Sequence, residues 1–375
     1  MLDDFDLKQI VVPLQEWFAG HARVLPWREE PKAYYVWISE IMLQQTRVEA
    51  VKPYFERFIR ELPDVGALAR CPEDQYLKLW EGLGYYNRVR NLNAAAQQIV
   101  SEHGGVIPDD YDVLLKLKGI GSYTAGAIAS IAYNRPQPAV DGNVLRVISR
   151  VSADNSDIMK QSVKRRVEER LRGLMQGEDA CRELVPRMFN QALMELGAIV
   201  CVPNGMPHCL ECPWQGFCGA RIGNLTGVLP VKSRAKERRI EDRTVFVIRD
   251  GDKVAIHKRE DRGLLAGLYE LPNRTGHMTQ EEALAYVKEL GFAPIRIKPL
   301  EDAKHVFSHV EWHMKGYVIL VEETQLKSPF LFVEAKDARE RYAIPSAFVR
   351  YAEYMNIPIG SRAVAARQEL ENAQT

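Results

Sequence analysis

The hydrophobic pattern of the chain changes once, near residue 223, and this change constrains the fold more than any other feature. Before it, apolar residues recur with helical spacing, most clearly over 34–60, 92–103, 124–133 and 185–201. After it come β-type runs at 244–248, 253–258, 316–321 and 329–333, with a helical stretch at 279–290. The sequence therefore predicts a multidomain protein in which an all-α region precedes an α/β domain.

The same pattern predicts the domain boundaries. Residues 1–222 form the helical region, 223–242 a polar linker, 243–357 the α/β domain and 358–375 a tail. The tripeptide Asp250-Gly251-Asp252 separates the first two β-type runs and is a hairpin signal.

Composition limits the class of protein. The chain is 46% hydrophobic and 27% charged, which is ordinary for globular domains. The N-terminal residues are acidic, and no apolar run approaches the roughly 20 residues of a membrane helix. We therefore expect a cytoplasmic protein without a membrane partner, associated with the nucleoid if the source is bacterial. Basic and acidic side chains balance at 50 each, so a DNA-binding surface must be local.

Four of the six cysteines are clustered, and together they span the loop 201–218. They are Cys201, Cys209, Cys212 and Cys218. The other two stand apart in the sequence, which does not fit a disulfide framework. The cluster therefore predicts a metal site. Spacing alone leaves iron–sulfur and zinc open, because both accept four thiolates.

Residues 114–128, LLKLKGIGSYTAGAI, indicate a helix, a tight Gly-Ile-Gly turn and a second helix. Gly119 and Gly121 permit a positive φ and leave backbone N–H groups uncovered, so these groups can bind a phosphate. Contacts of this kind position a nucleic acid without recognising its sequence. Lys118 adds a cation beside the turn.

Two carboxylates are candidates for acid–base chemistry. Glu40 shares a helical face with Val36, Trp37 and Leu43, and a carboxyl group on an apolar face tends to keep its proton. Asp141 precedes an apolar helical pattern and is expected to cap that helix. Hydrolysis of an N-glycosidic bond needs a proton for the departing base and a negative group beside an oxocarbenium-like sugar. Under this hypothesis Glu40 is the acid and Asp141 is the sugar-side carboxylate.

Several motifs closely resemble those of the MutY-type adenine DNA glycosylases of the helix-hairpin-helix superfamily. They are LPWR at 25–28, WISEIMLQQT at 37–46, GLGYY at 82–86, VDGN at 140–143 and FNQAL at 189–193, besides the hairpin and the cysteines. The resemblance covers most of residues 20–220. It implies a monomeric enzyme whose partner is double-stranded DNA and whose substrate is adenine opposite 8-oxoguanine or guanine.

The resemblance also implies roles for single residues. The residues implied to surround the extruded adenine are Arg23, Trp27, Arg28, Leu43 and Gln191. Tyr123 and Asn143 would support Asp141. Gln45 and Tyr85 would insert into the DNA double helix and fill the space beside the mispaired guanine.

For the four cysteines, the resemblance favours a 4Fe–4S cluster. The first gap, 202–208, holds one residue more than the family spacing. We expect a structural role for the cluster, because hydrolysis transfers no electrons.

Residues 243–357 resemble the Nudix-like domain of the same enzymes, most clearly over 263–272. The stretch 281–291 lacks the Arg-Glu and paired-glutamate pattern that binds metal for pyrophosphate hydrolysis. We therefore expect this domain to recognise the lesion and not to hydrolyse pyrophosphates. The tripeptide Phe307-Ser308-His309 matches the family loop that approaches 8-oxoguanine. A hydroxyl in this loop can accept a hydrogen bond from the N7–H group, which only the oxidised base carries.

Two alternatives remain. A bifunctional enzyme similar to endonuclease III uses a lysine immediately before the Thr-Ala of the hairpin as a Schiff-base nucleophile. This chain has Tyr123 there, which cannot form that imine and so favours a monofunctional enzyme. A catalytically silent mismatch-binding protein is the second alternative, and the presence of both Glu40 and Asp141 argues against it.

Overall fold

The computed structural model describes residues 2–177, 180–233, 237–322 and 329–355. By their contacts these residues form two compact units, one of residues 2–70 and 91–233, the other of residues 71–90 and 237–355. The multidomain organisation is confirmed. The predicted boundaries stay predictions, and the structure adds that segment 71–90 packs with the C-terminal residues. The predicted tail, 358–375, lies outside the described residues.

The first unit is helical, as predicted. In chain order the α-helices up to residue 222 are α1 (Val11–His21), α2 (Pro26–Glu29), α3 (Ala33–Leu43), α4 (Val48–Glu61), α5 (Val65–Arg70), α6 (Glu73–Leu79), α7 (Asn87–His103), α8 (Tyr111–Leu114), α9 (Ser122–Ala127), α10 (Gly142–Val151), α11 (Gln161–Met175), α12 (Pro186–Ile199) and α13 (Gly219–Ile222). A π-helical turn, Ile128–Ala132, continues α9. Among the described residues, none of the helices combines the length and the apolar character needed to cross a bilayer.

The core of this unit lies where α1, α10, α11 and α12 pack together. Leu14, Val144, Leu171 and Phe189 are fully buried there, one from each helix. Removing this apolar surface from water stabilises the packing of the four helices. The core therefore fixes α10 and α12, two of the helices that carry residues of the site described below.

The single helical stretch predicted at 34–60 is two helices. α3 ends at Leu43, Gln45 adopts a φ of 61°, and α4 begins at Val48. A positive φ is unfavourable for a residue with a Cβ atom, so the helix cannot continue through this point. The break leaves the Gln45 side chain exposed.

The tight Gly-Ile-Gly turn predicted within 114–128 is present between α8 and α9. Gly119 has a φ of +75°, and a Cβ atom there would lie 2.6 Å from the Cβ of Asn91, so both the backbone and the packing require glycine. Gly121 differs from expectation because its φ is −97°, which any residue adopts. No neighbouring atom lies within 4 Å of a Cβ built on Gly121, so the backbone at the start of α9 is uncovered.

The second unit contains a mixed sheet of seven strands within the described residues. They are β1 (Arg239–Asp250), β2 (Lys253–Lys258), β3 (Tyr269–Glu270), β4 (Asn273–Thr275), β5 (Ala293–Val306), β6 (Val310–Glu322) and β7 (Phe330–Val333). The order is β3-β2-β1-β6-β5, with β4 on β1 and β7 on β2. β1 and β6 are parallel, and the other pairs are antiparallel. The predicted hairpin is confirmed, because Asp250 pairs with Lys253 across Gly251 at a φ of 54°.

Helices cover both faces of this sheet. Val245 and Val247 of β1 pack toward α15 (Ala335–Arg341) and the 3₁₀ segment Ser346–Met355. Phe246 and Ile248 pack on the other face, toward α14 (Gln280–Glu289). The alternation follows the two-residue period of a strand. The predicted α/β class is therefore confirmed.

Candidate functional site

A cavity of about 610 Å³ lies in the helical unit, within the size range of small-molecule sites. It contains every residue that the sequence analysis assigned to catalysis or to the adenine pocket. These residues are Arg23, Trp27, Arg28, Glu40, Leu43, Tyr123, Asp141, Asn143 and Gln191. Gln45 also lines it. The residues come from segments far apart in sequence, so the fold itself creates the site.

Glu40 lies on α3, and only 6% of its surface is exposed. Burial raises the pKa of its carboxyl group to about 7. The charge of Asp141 raises the pKa further, whereas a hydrogen bond donated by the Tyr123 hydroxyl and the charge of Arg28 lower it. Near neutral pH a large share of Glu40 is therefore protonated and can act as a general acid.

Tyr123 lies on α9 and donates its hydroxyl to Glu40 Oε2. Burial and then the charges of Glu40 and Asp141 raise the pKa of Tyr123 well above its usual value. The phenol thus remains a neutral donor. Tyr123 therefore orients the carboxyl group of Glu40.

Asp141 caps α10, as the sequence predicts. Its Oδ1 accepts a hydrogen bond of 2.8 Å from the Val144 amide, and its Oδ2 accepts one of 2.7 Å from Asn143 Nδ2. Burial raises the pKa of Asp141, and these two hydrogen bonds oppose that effect. The carboxylate is consequently held in one orientation.

Arg146 connects this carboxylate to the cysteine loop. Its Nη2 donates to Asn143 Oδ1 at 2.9 Å and to the Gly197 carbonyl at 2.7 Å, and its Nε donates to the Cys201 carbonyl at 2.8 Å. A Cβ atom on Gly197 would lie 2.7 Å from Asn143 Cβ, so glycine permits the close approach of α12 to α10. Sequence reasoning missed Arg146, although its place three residues after Asn143 on α10 is a usable signal.

Glu195 is a second residue that sequence reasoning missed. Its oxygens accept hydrogen bonds from Arg23 Nε at 2.7 Å, Arg23 Nη2 at 2.9 Å and Arg28 Nη2 at 2.8 Å. Although burial opposes ionisation, these arginines lower the pKa of Glu195 to about 2. Glu195 therefore fixes two arginines of the cavity, and its place four residues after Gln191 on α12 is the signal that finds it.

Three of the predicted pocket residues also have packing roles. Trp27 is 5% exposed, and its ring meets the edge of Phe55 with centroids 5.3 Å apart. Leu43 is half-buried at the end of α3. Gln191 donates from Nε2 to the Arg187 carbonyl at 3.1 Å. Gln191 therefore gives the cavity a polar side chain with one hydrogen bond to its own helix.

The four clustered cysteines line one separate cavity, and none forms a disulfide. Burial raises the pKa of Cys212 to about 12 and also raises that of Cys218. Arg150 Nη1 lies 3.3 Å from Cys201 Sγ. Within the described ranges, no three side chains of His, Cys, Asp or Glu lie close enough together to bind one metal ion. Four partly buried thiols around one space are a donor set that both zinc and iron–sulfur centres accept.

The hairpin tip between β5 and β6 carries Phe307, Ser308 and His309. The Phe307 ring packs edge-on against Trp312, with centroids 4.9 Å apart, so it anchors the tip. Ser308 and His309 are exposed. Ser308 Oγ donates to the Tyr85 hydroxyl at 2.9 Å within the same unit.

Tyr85 belongs to a loop with an unusual backbone. Gly82, Gly84 and Tyr85 all have positive φ angles, of 102°, 70° and 49°. Trp80 Nε1 donates to the Gly84 carbonyl at 3.0 Å, and Arg88 Nη2 donates to the same carbonyl at 3.1 Å. These bonds hold the strained loop and leave Tyr85 49% exposed.

Family models match both parts of the chain. Residues 38–173 match the HhH-GPD superfamily base excision DNA repair proteins. Residues 244–354 match the NUDIX domain.

Whole proteins and solved structures are also similar. An adenine DNA glycosylase of Rattus norvegicus is 34% identical over 82% of this chain and 70% of its own length. An adenine DNA glycosylase of Buchnera aphidicola subsp. Baizongia pistaciae is 29% identical over 83% of this chain and 86% of its own length. A thermostable thymine-DNA glycosylase structure is 27% identical, with a TM-score of 0.50, over 58% of this chain and 96% of that one.

Proposed function

Because the chain belongs to the adenine DNA glycosylases of the helix-hairpin-helix superfamily, and so is a base excision repair enzyme, we propose that it removes adenine mispaired with 8-oxoguanine or guanine. The observation that supports the proposal most is the pairing of a buried, partly protonated Glu40 with Asp141 in one cavity. The cytoplasmic location and the monomeric state expected from the sequence stay predictions.

In the proposed reaction, Glu40 gives its proton to a ring nitrogen of the extruded adenine. The N-glycosidic bond then breaks with its electron pair going to the base, and the sugar gains positive charge. Asp141 stabilises that charge because its carboxylate is held in place by Val144 and Asn143. Water adds to the sugar, and Glu40 accepts the proton that the water loses. Tyr123 forms no covalent bond, so the enzyme is monofunctional.

We propose that the four cysteines hold a 4Fe–4S cluster, which the family fold and the shared cavity support. When bound, the cluster would cross-link the loop 201–218. The loop in turn offers the Cys201 carbonyl to Arg146, which contacts Asn143. The residues of this chain therefore connect the order of the cysteine loop to the orientation of Asp141.

We propose that exposed residues recognise the opposite base, and each of them is described within its own unit. Gln45 and Tyr85 have positive φ angles and exposed side chains, which suits insertion into a duplex. Ser308 and His309 at the hairpin tip are proposed to form hydrogen bonds with the N7–H group and the C8 carbonyl of 8-oxoguanine. Lys118, Gly119 and the uncovered amides near Gly121 are proposed to bind a backbone phosphate.

One incubation tests the proposal and separates it from its alternatives. The protein is mixed with a duplex that contains adenine opposite 8-oxoguanine, and half of each sample is treated with alkali before electrophoresis. We expect strand cleavage only after alkali, because a monofunctional enzyme leaves an intact abasic strand. Cleavage without alkali would indicate a lyase, and a mobility shift without cleavage would indicate a binding protein.

A further inference from the structure

Segment 71–90 is attached to the rest of the second unit through a buried ion pair. Lys78 Nζ lies 2.6 Å from Glu81 Oε2, and the two residues are only 6% and 4% exposed. Both lie in or directly after α6, in the N-terminal half of the chain. Their other partners belong to the C-terminal residues of the same unit.

The ammonium group of Lys78 has three N–H donors, and three oxygen acceptors face it. Besides Glu81, these are the Ala338 carbonyl at 3.0 Å and the Tyr342 carbonyl at 2.7 Å, at the C-terminal end of α15. A cation is stabilised at that end of a helix by the partial negative charge of the carbonyls. Glu81 Oε1 accepts a hydrogen bond of 2.9 Å from the Ile344 amide just beyond the helix.

The pair immediately precedes the strained loop. Trp80 lies between Lys78 and Glu81, is fully buried, and donates to the Gly84 carbonyl. Gly82 follows Glu81 directly. Lys78 and Glu81 lie on either side of Trp80 in the sequence, so holding them in place also holds Trp80, which binds the loop carrying Tyr85.

A net gain in stability is a poor explanation for such a pair. Desolvation of two buried charges offsets most of their attraction, and apolar replacements are often neutral or stabilising. The pair instead supplies orientation, because the four hydrogen bonds described above hold Lys78 and Glu81 in one position. A fixed orientation is important at this position because a loop with positive φ angles begins at the next residue, Gly82.

We propose that Lys78 and Glu81 are positioning residues for recognition of the base opposite the adenine: they let the C-terminal domain set the position of Tyr85. The inference rests on the proposed function. It assigns a specificity role to two residues that are buried in the protein.

An exposed link between the same two parts provides a matched control. Lys258 Nζ donates to Asp74 Oδ1 at 2.8 Å, and the side chains are 40% and 51% exposed. Each of the two variants, Lys258→Met and Lys78→Met, removes one lysine and one ion pair that involves a residue of α6. It leaves the end of α15 and the neighbours of Trp80 unchanged.

A double-mutant cycle tests the proposal. Binding is measured to duplexes with 2′-fluoroadenosine opposite 8-oxoguanine or guanine, since fluorine destabilises an oxocarbenium-like sugar and prevents excision. Lys78→Met should lower the preference for 8-oxoguanine by about tenfold, the effect of one or two lost hydrogen bonds. In a Tyr85→Ala background the same change should have less than about a twofold effect, because neighbours that act through each other are not additive. Lys258→Met should stay within about twofold in both backgrounds.

Hydrogen exchange gives a second readout on the free protein. Lys78→Met should lower the protection of the amides of 82–86, whereas Lys258→Met should not. Equal effects of Lys78→Met with and without Tyr85, or an unchanged preference, would overturn the proposal. If Lys78→Met does not fold, Glu81→Gln enters the same cycle, because the amide oxygen still accepts from Ile344. A wild-type protein that does not excise adenine opposite 8-oxoguanine would overturn the proposed function instead.

Discussion

The pH dependence of excision tests the contact between Tyr123 and Glu40. Protonated Glu40 is the form that can donate, and its pKa is about 7, so the excision rate should fall as the pH rises through about 7. The Tyr123 hydroxyl stabilises the carboxylate by donating to it. Tyr123→Phe removes this donor and keeps the ring. The pKa of Glu40 should therefore rise, and the falling limb of the profile should move to higher pH.

The size of the shift follows from the strength of the lost bond. A hydrogen bond to a charged group contributes about 1.5–3 kcal/mol, and one pKa unit corresponds to about 1.4 kcal/mol, so the limb should move by about 1–2 pH units. Glu40 is 6% exposed, so little water is available to replace the phenol. Asp141 and Arg28, the other charged groups that affect the pKa of Glu40, are unchanged in this variant.

The assay is single-turnover excision of adenine opposite 8-oxoguanine, measured from about pH 5 to pH 9. Tyr133→Phe is the control, because the Tyr133 hydroxyl donates to the Ile107 carbonyl and does not line the cavity. Its profile should match that of the wild type. An active Tyr123→Phe enzyme whose limb stays in place or moves to lower pH would refute the reasoning.

Three further variants test separate parts of the proposal. Glu40→Gln should slow excision by about 100-fold or more with duplex affinity unchanged in a mobility-shift assay, and equal losses of both would assign Glu40 a structural role. The purified protein should be yellow-brown with broad absorbance near roughly 400 nm, and Cys212→Ser should lose colour and iron, whereas a colourless wild type with one zinc would contradict the cluster. Ser308→Ala with His309→Ala should lower the binding preference for 8-oxoguanine over guanine by about tenfold, and a retained preference would direct attention to Gln45.

Features that depend on neighbours in sequence could be predicted. Asp141 precedes an apolar helical pattern, and it caps α10 through the Val144 amide. Thr279 is the first residue of the helical stretch predicted at 279–290, and it caps α14 with reciprocal hydrogen bonds to Glu282. In both cases the side chain satisfies an amide within three residues, so no knowledge of the fold is needed.

Features that depend on distant partners could not be predicted. Glu195 and Arg23 are 172 positions apart, and only the packing of α12 brings the carboxylate to the arginine. Segment 71–90 shows the same limit, because its helical pattern gives no sign that Lys78 meets the end of α15, 264 positions away from it at Tyr342. Buried charges need partners, but the sequence does not say which charge will be buried.

The residues proposed for excision and the Ser308–Tyr85 pair proposed to recognise the opposite base lie in different units of the structure. Adenine is an undamaged base, so the cavity around Glu40 cannot distinguish a mispaired adenine from a correctly paired one. Extruding a base from the duplex costs a few kcal/mol, and contacts to the opposite base can offset that cost. Ser308 and Tyr85 share a hydrogen bond in the second unit, whereas Glu40 and Asp141 lie in the first. The proposed preference for 8-oxoguanine should therefore arise in binding and extrusion, before the proton transfer proposed for Glu40.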